Sequence, residues 1–284
     1  MKYIFEKNSK SETIILHVNE PNFERIGIQT NNPTKYYTIV WNRGNTQKIL
    51  IDNISYDFAE NAILPIMMSQ AFSFECPQDL VVWQFNREFY CVVDHDAEVG
   101  CVGFVFYGPS QTMFITLENE DVDKMQRLLT VFEEEFDSDE DIKGSMLRML
   151  LVRLIINITR LAKKQYLGTE EINEDKFGLI RQFNLLVEIH FRKQHQVAFY
   201  ADLLHKSPKT VANTFSLYSK KTPLQTIHER IVTEAKRLFY FTDKSVKEIA
   251  DDLGFEEVAH FSKFFKNYTS INPSELRKMN HQLN

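Results

Sequence analysis

Hydrophobic and polar positions change rhythm once along this chain, near residue 120, and the change separates two kinds of architecture. Before it, short runs rich in β-branched and aromatic residues (13–18, 36–41, 47–51, 80–85 and 101–107) alternate with Gly, Pro, Asn and Asp. That punctuation predicts short strands arranged as a barrel or sandwich. After it the period is helical. Val122, Met125, Leu128, Leu129 and Phe132 share one face of a helix starting at Asp121, which the acidic run 133–141 is expected to end. A second helix, about 142–166, carries Leu147, Leu151, Leu154, Ile158 and Leu161 as one stripe, with Leu150, Ile155 and Ile156 beside it. A helix apolar on two faces buries both. One face is expected on the barrel, and the other meets either its own chain or a partner subunit.

The remaining pattern parses into seven helices, about 177–192, 197–205, 208–219, 223–240, 246–253, 257–269 and 273–279. Their starts are marked by local chemistry. Ser207 precedes Pro208. Thr222-Pro223-Leu224-Gln225 and Asn272-Pro273-Ser274-Glu275 each offer a capping side chain, a proline at the first helical position and a returning Gln or Glu, and Ser245 with Glu248 forms a capping box. Leu224, Ile227, Ile231, Ala235 and Leu238 line one face of the fourth helix, long enough to join two units rigidly.

Within this region the chain repeats itself. Ala201, Leu204, Val211, Phe215 and Pro223 recur as Ala250, Leu253, Phe261, Phe265 and Pro273, with one extra residue in the second copy. Each copy reads as a short helix, a tight turn and a longer helix, the helix-turn-helix pattern. Two such units can enter successive major grooves on one face of DNA, about 34 Å apart.

The longer helix of the second copy buries Val258, Phe261, Phe264, Phe265 and Tyr268 and leaves Ala259, His260, Ser262, Lys263, Lys266 and Asn267 outside. In the first copy Lys209, Thr210, Ala212, Asn213 and Ser216 face out. Small and polar residues reach base edges and cations meet phosphate. Asn213 suits an adenine edge, and Lys209 or Lys263 suits guanine or phosphate. Lys206, Lys220, Lys221, Lys244 and Lys266, near turns and helix ends, are the phosphate candidates. His260 either touches a base or caps its helix. Gly254 suits the positive φ of the turn before it.

Charge sharpens the division. The chain of 284 residues has net charge −6, but residues 175–284 hold 17 Lys+Arg against 12 Asp+Glu and residues 1–174 hold 16 against 27. Only the second half is suited to meet phosphate. The N-terminus has no apolar core of signal-peptide length, and the greasiest run, 146–162, is interrupted by Arg148, Arg153 and Arg160, so neither export nor a bilayer span is expected. Cys76, Cys91 and Cys101 match no zinc spacing and read as core thiols of a reducing cytoplasm, with a redox sensor as the other reading.

The run SVKEIADDLGFEEVAHFSKFFKNYTSINPSELRK (245–278) resembles the signature of the AraC/XylS family of bacterial transcription regulators, and YADLLHKSPKTVANTF (200–215) with ERIVTEAKRL (229–238) resembles its first unit and connecting helix. The resemblance covers about 100 residues, well beyond a generic helix-turn-helix match. It implies a seven-helix DNA-binding domain attached to a regulatory domain that senses a small molecule or mediates dimerisation. Carried over residue by residue, it assigns base reading to Lys209 and Asn213 and to Ala259, His260, Ser262 and Lys263. Two departures stand out: Lys220 and Ser270 occupy places where the family often has glycine, and Asn213 a place where relatives often have arginine. By layout, the N-terminal part resembles the family's cupin-like barrel followed by a helical pair. A metal-using cupin needs clustered histidines, whereas this region has only His17 and His95, so no metal and no other cofactor is expected.

The expected fold is α+β, with a cupin-like regulatory barrel at 1–118, a helical pair for dimerisation at 119–168, a linker at 169–176 and an all-α domain with two helix-turn-helix units at 177–284. The expected function is sequence-specific binding of promoter DNA by a cytoplasmic homodimer, with no catalytic residues. The family resemblance leans towards activation through RNA polymerase. Tyr36, Trp41, Phe72, Phe74 and Trp83 either line an effector pocket or are plain core. The alternative is a barrel that recruits a partner protein and holds no small molecule.

Overall fold

The computed structural model describes residues 1–7, 12–21, 23, 36–51, 54–68, 70, 72–92, 104–107, 112–167, 174–219 and 221–281. The chain divides into two compact units, one of Met1–Ile26 with Thr34–Ile172 and one containing Asn173–Asn284.

In the first unit an antiparallel six-stranded sheet runs in the order β1 (Lys2–Lys7), β2 (Glu12–Val18), β8 (Leu80–Asn86), β3 (Tyr36–Asn42), β6 (Ala62–Ile66) and β9 (Ile115–Thr116). A second sheet of three strands has the order β5 (Ile54–Phe58), β4 (Gln47–Ile51), β7 (Phe72–Phe74). Val40, Ile49, Ile51, Phe58, Leu64, Phe72 and Val82 fill the core the two sheets share. Among the described residues no ladder joins the sheets, so the expected closed barrel is instead an open two-sheet arrangement. Pro65 helps to keep one edge short: it has no N–H to offer, and β9 pairs only with Ala62 and Ile63.

The strand expected at 101–107 is also corrected. Residues 101–103 lie outside the described residues, and α1 (Phe104–Tyr107) is a helical turn. Phe104, Val105 and Phe106 are all buried, with Phe106 against Tyr37 at 5.0 Å, so their aromatic and branched character reflects burial rather than pairing.

The other face of the large sheet meets helices. Trp83 packs on Phe132 of α2 (Asn119–Asp137) with ring centroids 5.9 Å apart. This helix runs through part of the acidic stretch expected to break it, because Phe136 continues its buried face and meets Tyr3 at 5.7 Å. Against it packs α3 (Lys143–Leu167), whose Gly144 admits the ring of Phe5 where a Cβ would stand 2.5 Å from it. Arg148 donates to the Phe89 carbonyl and pairs with Glu12, which accounts for an arginine on so apolar a helix. Leu147, Leu151, Leu154 and Ile158 have no exposed surface within their own chain, and Leu161 is half-buried. The stripe expected to serve dimerisation is therefore interior, and the exposed large apolar residues of α3 include Met146, Met149 and Tyr166.

Strand alternation likewise divides the expected pocket. Register pairs Ile39 with Trp83 and Trp41 with Val81, so both tryptophans face the helices, opposite to Val40 and Val82. Phe72 and Phe74 pack with Phe23 and Phe58 on the inter-sheet side. Tyr36 is half-buried and shares the face of Val40 by alternation. The five aromatics do not line one cavity.

In the second unit the described residues form α4 (Glu174–His190), α5 (Val197–Leu203), α6 (Pro208–Tyr218), α7 (Pro223–Phe241), α8 (Val246–Asp252), α9 (Val258–Thr269) and α10 (Pro273–His281), around one core. The caps form as their chemistry dictates. Ser207 accepts from the Thr210 amide, and Thr222–Gln225 and Ser245–Glu248 are complete capping boxes. Ile227, Ile231, Ala235 and Leu238 are buried along α7, while Leu224 of the same expected stripe is exposed.

Candidate nucleic-acid interface

The repeated sequence folds into two repeated turns. In the first, the amide of Lys206 donates to the Ala201 carbonyl (2.9 Å) and that of His205 to Asp202 (3.0 Å). In the second, Phe255 donates to Ala250 (3.0 Å) and Gly254 to Asp251 (3.1 Å). Both turns place one residue in the left-handed region, His205 at φ 53° and Gly254 at φ 75°. The sequence flagged the glycine and gave no sign of the histidine.

Packing then aims the two longer helices outward. Val211 and Phe215 of α6, and Phe261 and Phe265 of α9, are fully buried counterparts. Phe215 meets Phe183 of α4 at 5.0 Å, and Phe265 meets Phe239 of α7 at 5.4 Å. With those faces committed, Lys209, Thr210 and Asn213 on α6 and Ala259, His260 and Lys263 on α9 are exposed, and Ser262 is half-buried. The structure thus gathers the base-reading candidates on the solvent faces of two helices. Thr210 has a second task, since its hydroxyl lies 2.8 Å from that of its cap Ser207. Tyr268, expected in the buried stripe of α9, is 43% exposed, and its hydroxyl lies 2.6 Å from Nδ1 of His228 on α7.

The phosphate candidates divide. Lys206 and Lys266 are exposed, and Lys220 lies outside the described residues. Lys221 is paired with Glu229 and Lys244 with Asp252, each at 2.5 Å. Such half-exposed pairs stabilise by under about 1 kcal/mol, so each lysine can exchange its carboxylate for a phosphate at little cost.

A buried ion cluster holds α7 to α4. Glu234 accepts from Arg192 and Arg237 at 2.7 Å and from Arg230 at 3.2 Å, while Arg230 also binds Glu188 at 2.6 Å and stacks 4.0 Å from the centroid of Phe191. Burial alone pushes the Glu234 carboxyl up, but the Arg237 hydrogen bond and the charges of Arg230, Arg237 and Arg192 outweigh it and hold the group at about 2. At the far end of α7, Arg277 of α10 donates to the carbonyls of Phe239, Thr242 and Lys244.

A family model described as a helix-turn-helix domain matches residues 200–279, from α5 into α10. This part of the chain is an AraC-type helix-turn-helix domain. Parts of the chain are similar to three regulators. The chain is 23% identical over 155 residues to the HTH-type transcriptional activator RhaS of an Enterobacter species, covering 55% of this chain and 54% of RhaS. It is 31% identical over 90 residues to the uncharacterised HTH-type transcriptional regulator YisR of Bacillus subtilis, covering 32% of this chain and 31% of YisR. It is 34% identical over 76 residues to the xylose operon regulatory protein of Haemophilus influenzae, covering 27% of this chain and 20% of that protein. The matched stretch thus spans about half the length of RhaS and a third or less of the other two. Among solved structures, ToxT of Vibrio cholerae bound to (E)-4-(8-methylnaphthalen-1-yl)but-3-enoic acid has a TM-score of 0.44 at 16% identity, covering 98% of this chain and 97% of ToxT.

Outside this AraC-type domain the described residues offer no group of three or more His, Cys, Asp or Glu able to hold a metal. His95 lies outside them, and His17 is occupied by Glu20 and Gln84. Cys76 is a half-buried free thiol, the buried Cys91 sulfur accepts from Arg87 Nε at 3.3 Å, and Cys101 lies outside the described residues. Among the described residues no helix is long and apolar enough to cross a membrane.

Proposed function

We propose that this protein is a cytoplasmic, non-enzymatic transcription regulator that binds promoter DNA through both helix-turn-helix units, with α6 and α9 in successive major grooves. One observation carries this reading: two copies of the same turn geometry, joined by α7, each leave small, polar and cationic residues on the exposed side of the longer helix. Asn213, Lys209, His260 and Lys263 read base edges. Lys206 and Lys266, with Lys221 and Lys244 released from their carboxylates, meet phosphates. The activator named among the relatives supports an activating role, and RNA polymerase is the partner that role calls for.

The N-terminal unit regulates by effector sensing, by dimerisation or by both. For dimerisation the exposed side of the α2–α3 pair is the suited surface. There a groove of ≈ 230 Å³ has Leu128, Val131 and Leu150 on its walls and Lys124, Arg127 and Arg153 at its rim. The acidic end of α2 in a second copy complements that rim. A second reading, in which this unit meets a partner protein and holds no small molecule, is favoured by the side chains that fill the space between the sheets.

The test is selection of duplexes from a randomised pool by the full chain at about 50 mM salt, followed by footprinting. Two protected segments on one face, about one helical turn apart, are expected. Retention of no duplex, or protection of a single segment, overturns the reading.

A further inference from the structure

The chain that leads into the first helix-turn-helix unit touches the turn of the second. The segment after α4, residues 191–196, leads into the first unit and lies against the turn of the second. His195 Nε2 donates to the Leu253 carbonyl at 2.8 Å. Gly254 sits so close that a Cβ there would stand 2.3 Å from the Arg192 carbonyl oxygen. The His195 ring packs 4.8 Å from that of Phe255, and Phe255 lies 5.5 Å from the ring of His260 in the first turn of α9.

The same segment is anchored to the rest of the domain. Arg192 is bound by Glu234 of α7 at 2.7 Å, and the Gln194 carbonyl accepts from the fully buried Tyr200 of α5 at 2.7 Å. A short stretch of chain is therefore fixed on the first unit, on the connecting helix and on the turn that launches the second recognition helix. Both units pack on α7 in one core, and residues 191–196 add a hydrogen-bonded link from the entry of the first unit to the turn of the second.

We propose that the His195–Arg192 segment is a strut that fixes the angle between α6 and α9, making His195 a positioning residue through which the two helices read DNA as one rigid body. This rests on the DNA-binding reading above. His195 itself contacts no base. It acts on α9 through the Leu253 carbonyl and through Phe255, and so on the aim of His260.

The test compares the full chain with His195→Leu, which keeps bulk against Phe255 and removes the donor, and with His195→Gln, which keeps an N–H for Leu253. The probes are a duplex selected from a randomised pool by the unaltered chain, the same duplex with one base pair inserted between its two protected segments, and one with only the α9 segment intact. The insertion rotates one segment by about 35° against the other. The unaltered chain and His195→Gln are expected to lose about tenfold in affinity on insertion. His195→Leu is expected to bind the parent duplex about tenfold more weakly, to lose most of that discrimination, and to bind the single-segment duplex as the unaltered chain does. Thermal melting checks its fold. Should it not fold, His195→Asn, whose shorter amide falls short of the Leu253 carbonyl, takes its place with the same expectation.

An unchanged insertion penalty overturns the strut. So does an equal loss on parent and single-segment duplexes, which is the mark of a merely structural role. If the unaltered chain binds no duplex at all, the DNA-binding reading fails and the strut falls with it.

Discussion

His205 and Gly254 occupy the same position in the two turns and share the left-handed conformation, at φ 53° and φ 75°. Only Gly254 has a carbonyl, that of Arg192, where its Cβ would be. The left-handed region costs a non-glycine residue about 1–2 kcal/mol. His205→Gly is therefore expected to stabilise the domain by about 0.5–1 kcal/mol, and Gly254→Ala to destabilise it by more than about 2 kcal/mol. Urea unfolding followed by circular dichroism measures both, and equal effects of opposite sign would refute the steric argument.

Glu234 makes the AraC-type domain acid-sensitive. Its carboxyl lies at about 2 in the folded protein against 4.5 as the ordinary value. A depressed folded value stabilises above pH 4.5, and that contribution, on the order of 3 kcal/mol, is lost as pH falls from about 4.5 to 2. Glu234→Gln is expected to lower stability at pH 7 and to flatten the acid limb. Melting temperatures across that range would show an unaltered limb if the cluster were unimportant.

How far these features were legible depends on the range of the interactions behind them. Caps and stripes of the seven C-terminal helices are local chemistry, so Ser207, Thr222 and Ser245 announced their helices. His205 looks ordinary until it is aligned with Gly254. The role of His195 was invisible, because its partner Leu253 lies 58 residues away. In the N-terminal unit, β6 escaped notice because Pro65 argues against a strand. Residues 104–107 read as a strand because branched and aromatic side chains signal burial as readily as pairing. The apolar stripe of α3 was legible, but which surface it meets was not.

On the proposed DNA-binding reading, Lys263 and Lys221 stand for two kinds of contact. Lys263→Ala is expected to weaken a selected operator by about 1–3 kcal/mol and to relax preference at one base pair. Lys221→Ala is expected to weaken all duplexes alike and to reduce the salt slope by about 1. Salt titrations on specific and random duplexes read both, and no change on either DNA removes the residue from the interface.

Asn213 faces solvent from α6 and suits the two bonds an adenine edge offers. Asn213→Arg is expected to transfer the preference at one position to guanine, by about 1–3 kcal/mol, while leaving the footprint in place. Repeating the selection with the variant is the check, and an unchanged consensus would place Asn213 off the bases.

Leu151 distinguishes interior from subunit interface. It has no exposed surface in its own chain. Leu151→Ala is expected to cost about 2–5 kcal/mol, with a shift in unfolding midpoint that is independent of protein concentration. A shift that grows on dilution would return this stripe to a dimer contact.

The grip of Arg277 on the carbonyls of Phe239, Thr242 and Lys244 clasps α10 over the last turn of α7. One side chain thereby answers three carbonyls that a helix end leaves without partners of its own. Shortening it to alanine would let that turn fray and loosen the whole hinge of chain from 239 to 244.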